Sequence, residues 1–298
     1  MDVAIAPCQT YDRDSCLSAL RAVLAPFGGL AWVQPGMKIA VKTNLVSMLK
    51  PEAAATTHPA LLCALTELLR GRGAEVIVGD SPGGLYTSAY VNAVYRGTGV
   101  TQVERWGARL NQDFSQAKGE MPDAAVMKTF QYTAWLDGCD AVIDFCKLKS
   151  HGMMAMSAAA KNMFGTIPGT MKPEYHFRFP NARDFADMIV DLAEYWKPRL
   201  SIVDAAVEGG IEDVAHQRGF AGAGHAGHDR QYAQREADID ILEVVLHRPV
   251  HVDAVVPGTL FALVAHFLAV QVLERQRVRD ILRGSFGGLP CENDLSAV

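Results

Sequence analysis

The sequence has no C-x-x-C pair, no run of basic residues and no long unbroken apolar stretch, and each absence narrows what the protein can be. Its six cysteines, at 8, 16, 63, 139, 146 and 291, are scattered. That fits reduced thiols better than a disulfide framework or a zinc site. Lys and Arg number 28 against 33 Asp and Glu, a formal charge of -5. With no basic residues interleaved with aromatics, there is no electrostatic footprint for nucleic acid. The longest apolar run, Leu260 to Leu273, is broken by His266 and Gln271 and is too short to span a bilayer. The amino end lacks a basic start followed by an apolar stretch. These patterns give the expectation of a soluble, cytoplasmic protein with no membrane partner. No GxGxxG follows the first predicted strand, and GxxxxGK[ST] and GxSxG are missing, so a nicotinamide cofactor, a P-loop nucleotide and a serine nucleophile elbow lack support. No internal repeat is evident.

What is present is an alternation of short apolar runs with amphipathic ones. At 298 residues and 49% hydrophobic content, the chain can bury a sizeable core in one large domain or two smaller ones. Helical spacing is clear over 14–27, over 59–69 behind Thr56, Thr57 and Pro59 as capping residues, and over 184–196, which Asn181 or Asp184 caps. Met153 to Phe164 has the composition of a further helix, with Lys161 and Asn162 in its last turn and Gly165 as its stop. Strands are predicted at 37–41, 74–79, 140–145 and 200–203. Parallel neighbours need crossover connections, so this order predicts an α/β fold, a mostly parallel sheet flanked by helices. Residues 1–213 form the main α/β domain; 214–298, with a Gly/Ala-rich stretch and predicted strands at 239–246 and 250–256 before a terminal helical region, are smaller or irregular and either stand apart or complete the same domain. His225 and His228 lack partners at metal-ligand spacing.

In parallel sheets ligands bind outside the carboxyl edge of the strands. Here the predicted strands run into Lys42-Thr43-Asn44, Asp80-Ser81, Lys147-Leu148-Lys149-Ser150-His151 and Asp204. If the chain stays extended beyond residue 145, the two-residue period places Lys147, Lys149 and His151 on one face. A lysine after a strand is often only solvated, but four polar strand ends together predict a shared site. Its cations, with Lys161, Lys172, His58 and His176, outnumber Asp80 and Asp204, so an anion, carboxylate or phosphate, is the natural ligand. Ammonium groups and the amino end of the helix at Pro59 would hold it, and a histidine has the right pKa range to move a proton. Metal ligation is not called for.

The runs IAVKTNLVSMLKPEAAATTHPAL, VIVGDSPGG, DAVIDFCKLKSHGMMAMSAAAKNMFGTIPGTMKPEYHF and KPRLSIVDA, in this order from about residue 38 to 205, closely resemble the domain-of-unknown-function 362 family, and PVHVDAVV at 249–256 resembles a later phrase. The resemblance marks Lys42, Asn44, Thr57, His58, Asp80, Lys147, Lys149, His151, Lys161, Asn162, Lys172, His176 and Asp204. Many members are described as iron–sulfur centre proteins because a ferredoxin-like module accompanies the domain. This chain has no C-x-x-C-x-x-C run, so an intrinsic iron–sulfur cluster is not expected, and the cofactor is left unassigned. After Asp204 it keeps only part of the family's phrase. The cation cluster and the resemblance together lead to the expectation of an enzyme in which Lys147 and Lys149 hold an anionic small molecule, His151 or His176 moves a proton, and Asp80 or Asp204 orients a donor or a metal-bound water; its redox character is what the resemblance alone implies. Electrons would come from a separate ferredoxin-like protein. The alternatives are a non-catalytic ligand or cofactor carrier, and a non-redox acid–base enzyme of the racemase or isomerase type.

Overall fold

The computed structural model describes residues 3–151, 153–205 and 241–245. In chain order the elements are β1 (Val3–Pro7), α1 (Arg13–Leu24), β2 (Lys38–Lys42), α2 (Pro59–Gly71), β3 (Glu75–Gly79), α3 (Ser88–Gly97), β4 (Arg109–Leu110), β5 (Gln116–Glu120), β6 (Thr129–Thr133), β7 (Ala141–Lys147), β8 (Lys149–His151), β9 (Ala155–Ser157), α4 (Ala159–Asn162), α5 (Lys172–Arg178), α6 (Ala182–Trp196), β10 (Leu200–Ala205) and β11 (Ile241–Val245). Seven strands form one sheet in the order β1-β11-β10-β7-β2-β3-β4, with β5–β6 and β8–β9 as separate two-stranded ribbons. From β10 to β4 the pairs are parallel, while β11 runs antiparallel to both β10 and β1.

Alternation along the strands sorts side chains onto two faces. Ile39 and Val41 of β2, Val76 and Val78 of β3, and Ile143 and Phe145 of β7 join Leu17, Leu20, Leu61, Leu65 and Val91 of α1, α2 and α3 in one core. The other parity, Ala40 and Val142, packs with Trp135 and Leu136. Beyond them a third cluster gathers Phe130 and Tyr132 of β6 around Phe185, Met188, Ile189 and Leu192 of α6. Both faces of the central strands are therefore covered, which is why those strands read as continuous apolar runs.

The expected helices at 14–27, 59–69 and 184–196 are present, the last capped by Asn181 accepting from Asp184 N–H. Two local expectations are overturned. Met153 to Phe164 is not one helix: β9 folds back on β8, pairing Lys149 with Ser157, and only Ala159–Asn162 is α-helical before a 3-10 turn to Thr166. The small and Met-rich composition suits close packing in either state, so it could not choose between them. The cap of α2 is His58, whose Nδ1 accepts from Ala60 N–H at 3.2 Å, and not a threonine. Thr57 instead donates to Phe145 O at 2.8 Å and accepts from Asn44 N–H at 3.0 Å, stitching the loop after β2 to β7. The predicted strand at 239–246 is β11; the predicted strand at 250–256, the helical region after it and the histidines at 225 and 228 lie outside the described residues.

Asp191, buried in α6, accepts from the backbone N–H groups of Ala125, Val126 and Met127 at 2.9, 2.7 and 3.0 Å. It therefore holds the loop before β6 against the helix. Asp191→Ala strands those donors, and because a buried unmet donor costs roughly 1–3 kcal/mol, the variant is expected to lose about 3 kcal/mol or more of unfolding free energy. Urea denaturation checks this; a loss below about 1 kcal/mol would contradict the clamp.

Candidate active site

The parity that sends Ala40 and Val142 to the second face also sends Lys42 and Asp144 there, opposite each other in the β2–β7 ladder, and Ser201 opposite Asp144 in the β7–β10 ladder. α4 packs over β7 and β10 on that face and brings Asn162 down onto the pair. Lys42, 1% exposed, places Nζ 2.7 Å from Asp80 Oδ1, 2.7 Å from Thr43 O and 3.2 Å from Asn162 Oδ1. Asp80 Oδ2 accepts from Leu45 N–H at 2.8 Å. Asn162 Nδ2 donates to Asp144 Oδ1 at 2.6 Å, and Asn44 Nδ2 donates to Asn162 Oδ1 at 2.9 Å. Burial pushes the Asp144 carboxyl up to about 7, against the opposing pull of Asn162 and Lys42. Gly165 lies over the ion pair, where a Cβ would come within 2.7 Å of Lys42 Cε and collide with the Asp80 carboxylate. Its carbonyl accepts from Ser81 N–H at 3.2 Å.

A second buried ion pair closes the neighbouring strand ends. Lys147 Nζ is 3.0 Å from Asp204 Oδ1, and both residues are 2% exposed. Asp204 also accepts from Tyr11 Oη at 2.9 Å and from His58 N–H at 2.9 Å, and the Tyr11 ring stacks on His58 with centroids 3.5 Å apart. Burial lowers the His58 pKa to about 4. The amino end of α2 is thus occupied from within the fold, contrary to the expectation that it would receive an anion. Lys147 does not share a face with Lys149 and His151 either. The chain changes sheets at Leu148, whose N–H donates to Asp204 O at 2.8 Å, so the two-residue period does not run through it.

The remaining cations form a different group. Lys149 Nζ donates to Asn44 Oδ1 and, at 2.6 Å, to Ala55 O; Lys172 Nζ donates to Ser81 O. Neither makes an ion pair, and among the described residues Lys161 has no hydrogen-bond or ion-pair partner. Burial is the main cause lowering all three amines to about 8. The charge of Lys161 further depresses Lys149, Lys172, His151 and His176, so these five groups lie within electrostatic reach around Lys161. The carboxylate in reach, Asp80, is already held by Lys42. His151, lowered to about 4 first by burial, accepts from Met154 N–H through Nδ1 at 3.2 Å, which leaves a neutral ring with its proton on Nε2. His176 is exposed and stacks on Phe185 at 4.6 Å.

Of the residues singled out from sequence, Lys42, Asn44, Asp80 and Asn162 form the buried network, with Thr57 and Ser81 bracing its loops. Lys149, His151, Lys161, Lys172 and His176 form the cation group, and Lys147, Asp204 and His58 form the closed pair. Sequence reasoning missed Asp144, Tyr11 and the close approach of Gly165. For Asp144 the signal was available, a carboxylate in the middle of an apolar strand. Among the described residues no group of three or more His, Cys, Asp or Glu is arranged to hold a metal ion, the described cysteines are free thiols, and no helix is long and apolar enough to cross a membrane.

Fold and geometry define an α/β protein whose parallel strands end in buried Lys–Asp pairs, beside a group of cations that make no ion pair among the described residues. The chain belongs to the domain-of-unknown-function 362 family, whose model matches residues 39–223. It is 30% identical over 210 residues to a thylakoid-associated protein of Synechocystis, covering 68% of this chain and 62% of that protein, so it spans less than two thirds of that relative's length. Among solved structures, a Thermotoga maritima protein aligns at a TM-score of 0.42 and 15% identity over 67% of this chain and 52% of its own. The lactate racemase apoprotein of Thermoanaerobacterium thermosaccharolyticum aligns at 0.42 and 12% over 68% and 50%.

Folding raises the Asp144 pKa above its ordinary carboxylate value, so the fold favours the protonated acid. Stability from this group is complete below about pH 4, declines as pH rises, and is lost above about pH 7. Asp144→Asn keeps an oxygen for Asn162 without a charge. It should therefore be more stable than the parent at pH 8 and close to it at pH 5, as read by chemical denaturation. Equal destabilisation at both values would rule out a buried acid.

Proposed function

We propose that the chain binds a small carboxylate or phosphate anion at the Lys149, His151, Lys161, Lys172 and His176 group and performs non-redox acid–base chemistry on it. The observation that carries the reading is Lys161, a partly buried amine with no hydrogen-bond or ion-pair partner among the described residues, within reach of other cations. Lys161 repels both Lys149 and Lys172 in a partly desolvated site, the Asp80 carboxylate that offsets this is already held by Lys42, and an anion relieves what remains. An amine titrating near 8 both gives and takes a proton close to neutrality. Lys161 is the proton-transfer group in this reading. Lys149, oriented by Asn44 and Ala55, holds the anion, and the neutral His151 donates through Nε2–H. Lys42, Asp80, Asn162 and Asp144 are positioning residues beneath them.

An oxidoreductase supplied by an external ferredoxin-like protein rests on the family resemblance, and no described side-chain geometry adds to it. The carrier reading uses the same cations without turnover. We further propose that residues 214–298 complete the same domain, because β11 lies in the sheet between β1 and β10.

Calorimetric titration with phosphate and with short carboxylates tests the site. The amines are fully charged well below pH 8 and lose charge as pH rises through it, so affinity should be high at pH 6.5, fall between pH 7.5 and 9, and be accompanied by proton uptake near pH 8. Lys161→Met should weaken binding about ten- to hundredfold, the worth of one charged hydrogen bond. Unchanged affinity in a folded variant would sink the assignment. Incubating carboxylic acids with the protein in D2O separates the classes: C–H exchange lost in Lys161→Met supports the enzyme, and binding without exchange of any acid tried supports the carrier.

A further inference from the structure

The unpaired cations are distributed, and their distribution bears on the ligand. Lys149 and His151 leave β8, and Lys149 is anchored on the loop after β2 through Asn44 and Ala55. Lys172 and His176 leave α5 one turn apart, and Lys172 is anchored on the loop after β3 through Ser81 O. β2 and β3 are adjacent and parallel, so the two anchors stand on neighbouring loops of one sheet edge. Lys161, on α4, acts on both pairs: on Lys149 and His151, and on Lys172 and His176.

A second, independent feature accompanies each anchor. The hydroxyls of Thr56 and Ser81, in residues 1% and 0% exposed, have no hydrogen-bond partner among the described residues. Thr56 follows the carbonyl that receives Lys149, and Ser81 is itself the residue whose carbonyl receives Lys172. A buried hydroxyl left unpaired forfeits its hydration for nothing in return; of the five such hydroxyls among the described residues, at Thr43, Thr56, Ser81, Thr133 and Ser201, one stands at each lysine anchor.

We infer that the ligand carries two anionic groups on a short spacer, as in a dicarboxylate or a phosphorylated carboxylic acid, with one group between Lys149, His151 and Lys161 and the other between Lys161, Lys172 and His176. The inference rests on the anion-binding reading above and adds the number of charges. A single carboxylate would neutralise one side and leave the ammonium on the other exposed to the repulsion of Lys161. Two linked anions answer both sides, and the second binds intramolecularly once the first is seated.

The test compares matched pairs by calorimetry at pH 7: succinate against butyrate, glutarate against pentanoate, and phosphoglycolate against glycolate. The best two-anion probe should bind at least tenfold more tightly than its one-anion partner, and Lys172→Met should abolish that excess, bringing the two probes of the pair to similar affinities when both are measured on the variant. Which pair shows the excess separates the dicarboxylate from the phosphorylated source. Equal affinities within every pair would overturn the two-anion inference and leave the anion site standing. Failure of all six probes to bind would overturn both. The ratio in the unaltered protein decides the matter even if Lys172→Met does not fold.

Discussion

An ammonium group sealed away from water is the constraint around which the carboxyl edge of this sheet is built. Lys42 is inside the protein, where an unpaired charge would cost several kcal/mol. Its three acceptors come from three places: Asp80 just after β3, Thr43 just after its own strand, and Asn162 on α4. Removing any of them leaves a buried charge under-satisfied, so the strand end, the neighbouring loop and the short helix are fixed relative to one another. Asn162 in turn holds Asp144 and meets Asn44, which orients Lys149. The position of the outermost lysine is thus traced back, through two asparagines, to the innermost one.

The second ion pair explains why an overall acidic chain can leave cations unpaired at this edge. Asp204 is shared by Lys147, Tyr11 and the backbone of His58, and Asp80 by Lys42 and the backbone of Leu45. Both strand-end carboxylates singled out from sequence are consumed below the surface. What remains on β8, α4 and α5 is a half-buried group of lysines that make no ion pair among the described residues, and burial sets their titration near 8.

Much of the sheet was legible because buried parallel strands are near-continuous Val/Ile runs and their helices carry clear stripes. β2, β3, β7 and β10 fall within a few residues of expectation, as do α1, α2 and α6. β1, part of an antiparallel pairing at the sheet margin, has a partly exposed and unremarkable pattern and escaped notice. β9 was mistaken for helix because Ala, Ser and Met fit close packing in either state, and the boundary is set by its pairing with β8. The gathering of polar strand ends was readable as a topological rule. Which lysine pairs with which carboxylate was not, because the change of sheet at Leu148 separates Lys147 from Lys149, and no period in the sequence marks it.

The contact between Gly165 and the Lys42–Asp80 pair has an evolutionary consequence. Gly165 lies against the ion pair, so a methyl group at 165 would have to displace the Lys42 ammonium or the Asp80 carboxylate from the other, or be met by a shorter residue at 42 or 80. These three positions, far apart in the chain, are coupled through one contact. Natural relatives that lose the glycine should have lost the pair as well, and those that keep the lysine and aspartate should have had no freedom at 165.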